Sequence, residues 1–543
     1  PYYMLNVRGN ISGPIGKKTS YFATFRYNDH QNNSVINALL TEDATNPFRK
    51  IVPSPDTSVD FSVRLDRQMS KNNVLTARWD FQHCGLHNGG LSGSVACFTG
   101  DTPPQDAVSS QVLPSQAFNG GTNTSTVQLT DSQNLGKSMV IETRFQWIRS
   151  RSTQDPVSTA GTVNVSGYFN GGGSAMQMLS DHTDNIEFQE FFSLERGQHF
   201  FRAGARYRGV RDANFSNANF NGVATYSAYK PAAGSGGTSA TALANYTAGT
   251  PSKFVANVGS PHATLYTGDL ALFVEDEYRV RKNVTLNYGM RLEMQSAIPD
   301  HVNPAPRLSA AWDVGKTAKQ QAYVTLRVGF GLFYDRFQSG NLLTSIRQQA
   351  GGLQQQYVFT LSGNTPVQCY AGPMPMCGGV TAAITPYSVS PKLRSQYDVI
   401  EGLTAEKVMK FGRISVNYQH QQGVHQWVSR NINAPLPGTY TPGVPNSGVR
   451  PLGGTGNVYE FDSNGAHTTD LLFGDAQLSL GRHVNFWFYT NGRIRATADS
   501  QGAASFPTSQ YNLKQDNGRV SVPTFRLFTG ASVDLPWGIF LTP

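Results

Sequence analysis

Residues 272–294 read LFVEDEYRVRKNVTLNYGMRLEM. Even positions carry Leu270, Leu272, Val274, Asp276, Tyr278 and Val280, then Val284, Leu286, Tyr288, Met290, Leu292 and Met294. Odd positions carry Asp269, Glu275, Glu277 and Arg279, then Thr285, Asn287, Arg291, Glu293 and Gln295. A period of two puts these sets on opposite faces of a strand, whereas a helix needs apolar residues at three-and-four spacing. The segment predicts two long strands joined by a polar turn at Arg281-Lys282-Asn283. One face meets an apolar phase and the other meets water or opposite charge.

The alternation recurs along the chain. Val59, Phe61, Val63 and Leu65 oppose Asp60, Arg64 and Asp66. Leu75, Ala77, Trp79 and Phe81 oppose Thr76, Arg78 and Asp80. Met139, Ile141, Phe145 and Trp147 oppose Glu142, Arg144 and Gln146. Val324, Leu326, Val328, Phe330 and Leu332 oppose Thr325 and Arg327, and Val484, Phe486 and Phe488 oppose Asn485. Helical patterning is scarce; 337–350 predicts a short loop helix.

The connections alternate as well. Tight turns at 70–73, 136–137, 195–198, 281–283 and 481–482 take turns with long Gly-, Asn-, Ser-, Thr- and Pro-rich stretches at 83–124, 151–182, 213–262, 337–395 and 433–466. In an antiparallel meander every second connection emerges on the same side, so one side is trimmed and the other elaborate. Outer-membrane barrels show this asymmetry. Several predicted strands far exceed the usual five or six residues. The reading is therefore all-β: a large antiparallel transmembrane β-barrel with about 17–18 strands present, wide enough that its lumen must hold water or a plug.

Composition is consistent with that reading. Mean hydropathy is −0.35 and no apolar run is long enough for a transmembrane helix, which a barrel strand does not need. Net charge is +8, but the basic residues sit singly on polar strand faces, as Arg202, Arg206 and Arg208 do. No run suits phosphate backbones, so no nucleic-acid partner is expected. Pro1 opens mid-domain sequence and VDLPWGIFLTP stops just after a turn, so 1–543 reads as one partial barrel domain cut at both ends. The four cysteines form two local pairs, Cys84 with Cys97 and Cys369 with Cys377, which predict two loop disulfides and an oxidising compartment.

Residues 9–28 (GNISGPIGKKTSYFATFRYN), 271–293 (ALFVEDEYRVRKNVTLNYGMRLE), 303–314 (NPAPRLSAAWDV) and 415–437 (SVNYQHQQGVHQWVSRNINAPLP) resemble, in order and spacing, segments of the barrel of TonB-dependent outer-membrane receptors of the Oar-like branch. The resemblance implies a barrel of about 22 strands around a plug. It also implies an N-terminal carboxypeptidase-regulatory-like domain, a bacterial outer-membrane location and uptake energised by the TonB complex. The plug, the regulatory domain and the TonB-contacting segment have no counterpart in these residues. The chain also departs from the family in lacking a C-terminal aromatic.

Candidate chemistry is thin. Glu275 and Glu277 share a strand face at a spacing that a glycosidase pair permits, but neighbouring arginines make a mixed-charge lumen wall the simpler account, and no enzyme is expected. His83-Cys84-x-x-His87 with Cys97 is not a standard zinc pattern. Met374 and Met376 between Cys369 and Cys377 offer soft ligands, yet a disulfide-closed loop explains them. No cofactor is implied. Tyr226, Tyr229 and Tyr246 in a long loop could stack on a flat ligand or anchor the loop to itself. Trp79, Trp147, Trp487 and Trp537 are expected in the aromatic girdles. The expected function is TonB-dependent uptake of a large extracellular ligand, with carbohydrate preferred. A passive porin-like channel and an adhesion or scaffold protein are the alternatives.

Overall fold

The computed structural model describes residues 3–91, 110–231, 238–315, 322–441, 447–481, 483–499, 502–503, 505–519 and 525–542. Among these described residues, seventeen long strands form one antiparallel meander. In chain order they are β1 (Tyr3–Pro14), β2 (Thr19–Gln31), β3 (Asp56–Ser70), β4 (Asn73–Gly89), β5 (Phe118–Leu135) and β6 (Met139–Pro156). Next come β7 (Leu179–Arg196), β8 (His199–Ser216), β9 (His262–Arg281), β10 (Val284–Gln295), β11 (Asn303–Val314) and β12 (Val324–Tyr334). The last five are β13 (Tyr397–Met409), β14 (Gly412–Asn431), β15 (Tyr459–Leu480), β16 (Val484–Ala498) and β17 (Phe525–Leu535). Each pairs with its sequence neighbours, from β1–β2 to β16–β17.

Strands β5 to β8 are each 18 residues long. At about 3.3 Å per residue and a tilt near 40°, such a strand rises about 45 Å. That is well beyond an apolar band of about 25 Å, so the wall continues past the hydrocarbon. Short turns all lie at one end. Gly136 (φ 73°) and Gly197 (φ 63°) take the left-handed conformation that closes two of them.

The alternation read from the sequence sets the two faces. On β9 and β10 the even residues Leu272, Val274, Tyr288 and Met290 are each more than 40% exposed, with nothing but solvent or lipid to meet them. The odd residues face the lumen, where Arg202 of β8 contacts Glu275 at 2.8 Å and Arg336 contacts Asp269 at 2.8 Å. Among the described residues the sheet is not closed: β1 pairs with β2 alone, and β17 with β16 and the short strand Ile539–Leu541.

The long connections build a structure of their own, which composition hid. Six short strands from three of them, Phe169–Gly171, Thr162–Val165, Val223–Tyr226, Lys253–Gly259, Gln354–Thr360 and Ala383–Ile384, join in a second sheet. A loop core of Ile36, Leu91, Val165, Phe169 and Leu243 ties four connections together. Among the described residues two α-helices lie in the loops, α1 (Ala242–Ala248) and α2 (Ser339–Gln348). The second falls within the expected 337–350. The first was not expected. Thr241 caps it by accepting the Ala244 N–H at 3.0 Å, and Gly249 (φ 67°) ends it.

Candidate functional site

The lumen wall is a ladder of paired charges. Arg64 contacts Asp66 at 2.8 Å and Arg78 contacts Asp80 at 2.9 Å. Farther round, Glu406 receives Arg327 and Arg413, and Arg413 reaches Asp475 at 2.7 Å, so one network spans β12 to β15. Glu275 belongs to this wall through Arg202, and Glu277 lies 3.9 Å from Arg279. Both carboxylates are held by guanidinium groups, the arrangement of a wet, mixed-charge surface. A cleft of about 260 Å³ opens in the wall between Arg206, Arg208, Glu293, Asp335 and Arg336.

Above it the loop side is partly roofed by α2. Leu342 and Leu343 of this helix pack with Ala263 and Leu265 of β9, Trp427 of β14 and Phe461 of β15. The helix thus bridges two separate stretches of wall. Phe337 fits edge-on against Trp427 and Phe461 at 5.1 and 5.6 Å. Arg347 anchors the far end by donating to Asn214 Oδ1 (2.6 Å), Asn214 O (3.1 Å) and Pro261 O (3.2 Å). Burial pulls its guanidinium below the ordinary arginine value, opposed by the Asp212 and Asp181 carboxylates.

Where α2 ends, a cavity of about 360 Å³ opens between the loops. Gln348, Gln349, Gln354, Gln355, Gln356, Thr385 and Asn433 line it with Leu452 and Val458, and among the described residues no charged side chain does. Two of the amides hold the frame. Gln354 donates to the carbonyls of Ser260 (2.9 Å) and Ser216 (3.2 Å). Asn433 donates to those of Gly456 (2.8 Å) and Gly453 (2.9 Å) and accepts the Leu452 N–H. Gln349 and Gln355 remain exposed. Tyr387 stacks on Tyr459 at 4.8 Å beside this cavity, and burial pushes its phenol up to about 12, so it stays neutral. Such a surface offers amide donors and acceptors to an uncharged, hydroxyl-rich ligand.

The loop tyrosines divide. Tyr226 and Tyr246 meet edge-on at 5.3 Å, and Tyr246 meets Phe169 at 5.4 Å, in the core around α1. Tyr229 Oη accepts from Asn364 Nδ2 at 3.2 Å. Tyr246 keeps 39% of its surface exposed. The three do not form one stacked platform. Cys369 and Cys377 are disulfide-bonded, pinning a two-residue ladder whose Cys377 sits in a loop core with Phe254 and Phe359. The expected Cys84–Cys97 bridge falls partly outside the described residues, since residue 97 is not among them.

The girdle expectation needs one correction. Trp79 and Trp147 stand on the outward parity, bonded through Nε1 to Ser125 (2.9 Å) and Asp184 (3.3 Å). Trp487 does not. Its neighbours Phe486 and Phe488 face outward, so Trp487 shares the inner face with Gln477, and its ring lies over Gly530, where a Cβ would stand 2.6 Å from the indole. Trp537 occupies a turn, 94% exposed. The glutamine cavity escaped sequence reasoning because 348–356 and 433–458 meet only in space. The visible signal was the run QQAGGLQQQ at 348–356.

Comparison with known proteins agrees with this geometry. The family model described as an outer membrane beta barrel domain matches residues 14–300 and 297–540. No curated protein matches. Among solved structures, the chain is similar to the outer membrane transporter YddB from Escherichia coli, at 10% identity and a TM-score of 0.65, covering 98% of this chain and 61% of that one. A mutant ferric enterobactin receptor from Pseudomonas aeruginosa gives 12% identity and 0.58, covering 98% and 63%. The ferripyoverdine receptor of the same organism's outer membrane gives 10% and 0.55, covering 98% and 57%. The chain thus spans about three-fifths of the length of these structures. At such identities the likeness concerns the fold, and it is the family match over nearly all residues that classifies the chain: it belongs to the outer membrane beta barrel domain family and is a protein of the outer membrane.

Proposed function

We propose that the chain forms the barrel of a TonB-dependent receptor that captures a large, neutral, hydroxyl-rich ligand, a carbohydrate, at its loops and passes it inward by energised transport. The observation that carries this reading is the uncharged amide-lined cavity placed above a lumen wall of paired charges. A ferric chelate or other anionic ligand would be expected to meet cations there. The ordered loop sheet and the helix bridging the mouth add support, since a simple diffusion pore gains nothing from such a roof. The resemblance in 415–437 favours the Oar-like branch.

Two further parts complete the proposal, the first from the open sheet edge and the second from the family resemblance. An unpaired row of backbone N–H and C=O groups is costly in lipid, so additional strands complete the wall between β17 and β1. A plug fills the lumen and carries the contact to the TonB complex.

The test uses the full-length protein. Calorimetric titration with neutral oligosaccharides should give saturable binding that weakens about 5- to 50-fold, the cost of one or two lost hydrogen bonds, in Gln349→Ala/Gln355→Ala. Cellular uptake should vanish when TonB is removed. Tight binding of ferric siderophores with none of sugars would refute the ligand class. Unsaturable uptake without TonB would establish the passive channel, and binding without uptake the adhesion reading.

A further inference from the structure

At the loop-side top of the wall two acids meet beneath α2. Asp212 of β8 and Asp181 of β7 both lie on the lumen parity, one rung apart, since Asp212 pairs with Thr183 and Asp181 with Asn214. Asp212 is 5% exposed, and its Oδ1 has no hydrogen-bond partner among the described residues. Its carboxyl lies within hydrogen-bonding reach of that of Asp181. Two ionised carboxylates offer only acceptors, so this contact becomes a hydrogen bond only when one acid keeps its proton.

The helix covers the pair. Leu265, the register partner of Asp212 on β9, packs with Leu342 and Leu343 of α2. Arg347, in the last turn, donates to Asn214 Oδ1 at 2.6 Å, and Asn214 donates its amide to Asp181 Oδ1 at 2.8 Å. Among the described residues, Asp181 from β7 and Arg347 from α2 are the charged groups that face Asp212. On β9 the facing side chain is Leu265, and His182 and His262 of the adjoining strands stand on the outer parity. One guanidinium thus stands over two acids. A single retained proton leaves the group neutral, whereas two carboxylates leave a net negative charge under the helix. A divalent cation would instead leave an excess positive charge, so the arrangement favours a proton.

Asp212 is thirteen residues up β8 from His199, about 33 Å above the short turns and clear of an apolar band of about 25 Å. Burial, and then the hydrogen bond to Asp181, push its carboxyl up to about 7, against the pull of Arg347. When α2 lifts, water reaches Asp212 and its ordinary acidity returns. The docked form therefore holds a proton that the lifted form gives up. This group favours docking in full below the ordinary aspartate range, favours it less as pH rises, and adds nothing above about 7.

We infer that Asp181 and Asp212 share one proton while α2 is docked, and that loss of this proton loosens the helix from the wall, making the roof of the loop-side mouth an acid-held latch. Gln348 and Gln349, at the end of α2, line the amide-rich cavity, so the latch also holds one side of it. The inference concerns the seat of α2 and stands apart from the identity of the ligand.

The test is hydrogen–deuterium exchange of the full-length protein in nanodiscs of neutral phosphatidylcholine at pH 5.5, 7 and 8.5, with rates corrected for the intrinsic effect of pH. Protection of 339–348 should fall about ten- to thirty-fold from pH 5.5 to 8.5, while strands β5 and β6 keep theirs. Asp212→Asn has an amide that can donate to Asp181 and cannot ionise, so its helix should stay as protected at pH 8.5 as at 5.5. Wild-type protection that does not change with pH overturns the inference without any variant. A pH dependence that survives in Asp212→Asn also overturns it, by placing the titration elsewhere. Protection restored at pH 8.5 by calcium, and lost again on adding a chelator, would overturn it in favour of a cation site.

Discussion

His199 Nδ1 lies 2.7 Å from Asp276 Oδ2, across neighbouring strands, on the wall that otherwise faces hydrocarbon. Tyr288 Oη donates to the same carboxylate oxygen at 2.7 Å from the strand on the other side. Asp276 is the one carboxylate in an apolar run, and its side chain is 7% exposed. The His199 ring stacks on Tyr278 at 4.4 Å and on Phe201 at 5.3 Å, covering it further. Three consecutive strands are thereby linked near the short turns by a polar group that lipid cannot solvate.

Removing His199 should therefore cost about 1–3 kcal/mol, the penalty for leaving a buried polar group short of a partner. His199→Ala and Asp276→Ala should be non-additive by more than about 0.5 kcal/mol in urea unfolding of the reconstituted barrel. Additive losses would show that the contact contributes nothing.

The pleat predicts a parity rule. Single cysteine probes at Val274 and Met290 should be quenched by a lipid-soluble nitroxide, and probes at Glu275 and Arg291 by a water-soluble one. The opposite assignment would turn the barrel inside out and sink the fold assignment.

Detaching α2 should open the loop side without unfolding the wall. Leu342→Ala and Leu343→Ala each remove a buried side chain worth about 2–5 kcal/mol of local packing. The expected result is faster proteolysis between 335 and 396, with unchanged heat-modifiable migration of the barrel. Loss of that migration would mean that the helix is part of the barrel's own stability.

Closing the short Cys369–Cys377 loop should stabilise it by about 2–3 kcal/mol in the chain-entropy model. Cys369→Ala/Cys377→Ala should raise amide exchange in 365–382 alone. Mass spectrometry of the unreduced chain should find this bridge and a Cys84–Cys97 bridge; a free thiol at Cys84 would refute the second.

Much of this architecture was legible in the chain itself. Period-two alternation around Arg281-Lys282-Asn283 assigned β9 and β10 and their faces, because a pleat has only two sides and the bilayer demands that one be apolar. Alternating turn lengths showed which end is elaborate, since connections in a meander must exchange ends. The charged lumen was implied by what remained on the other parity. Tertiary structure decided the rest. Asp276 looked like an interruption until His199 and Tyr288, from two other strands, closed on it. Asp181 and Asp212 are ordinary strand acids apart, and only register sets them side by side under α2. Glutamines 348–356 and Asn433 become one surface only because α2 docks across the mouth. Trp487 reads as girdle by type, yet the pleat and the bare Gly530 beside it turn it inward. Local periodicity reports the environment of a single strand, whereas a site is made by residues whose distance in the chain carries no periodic signal.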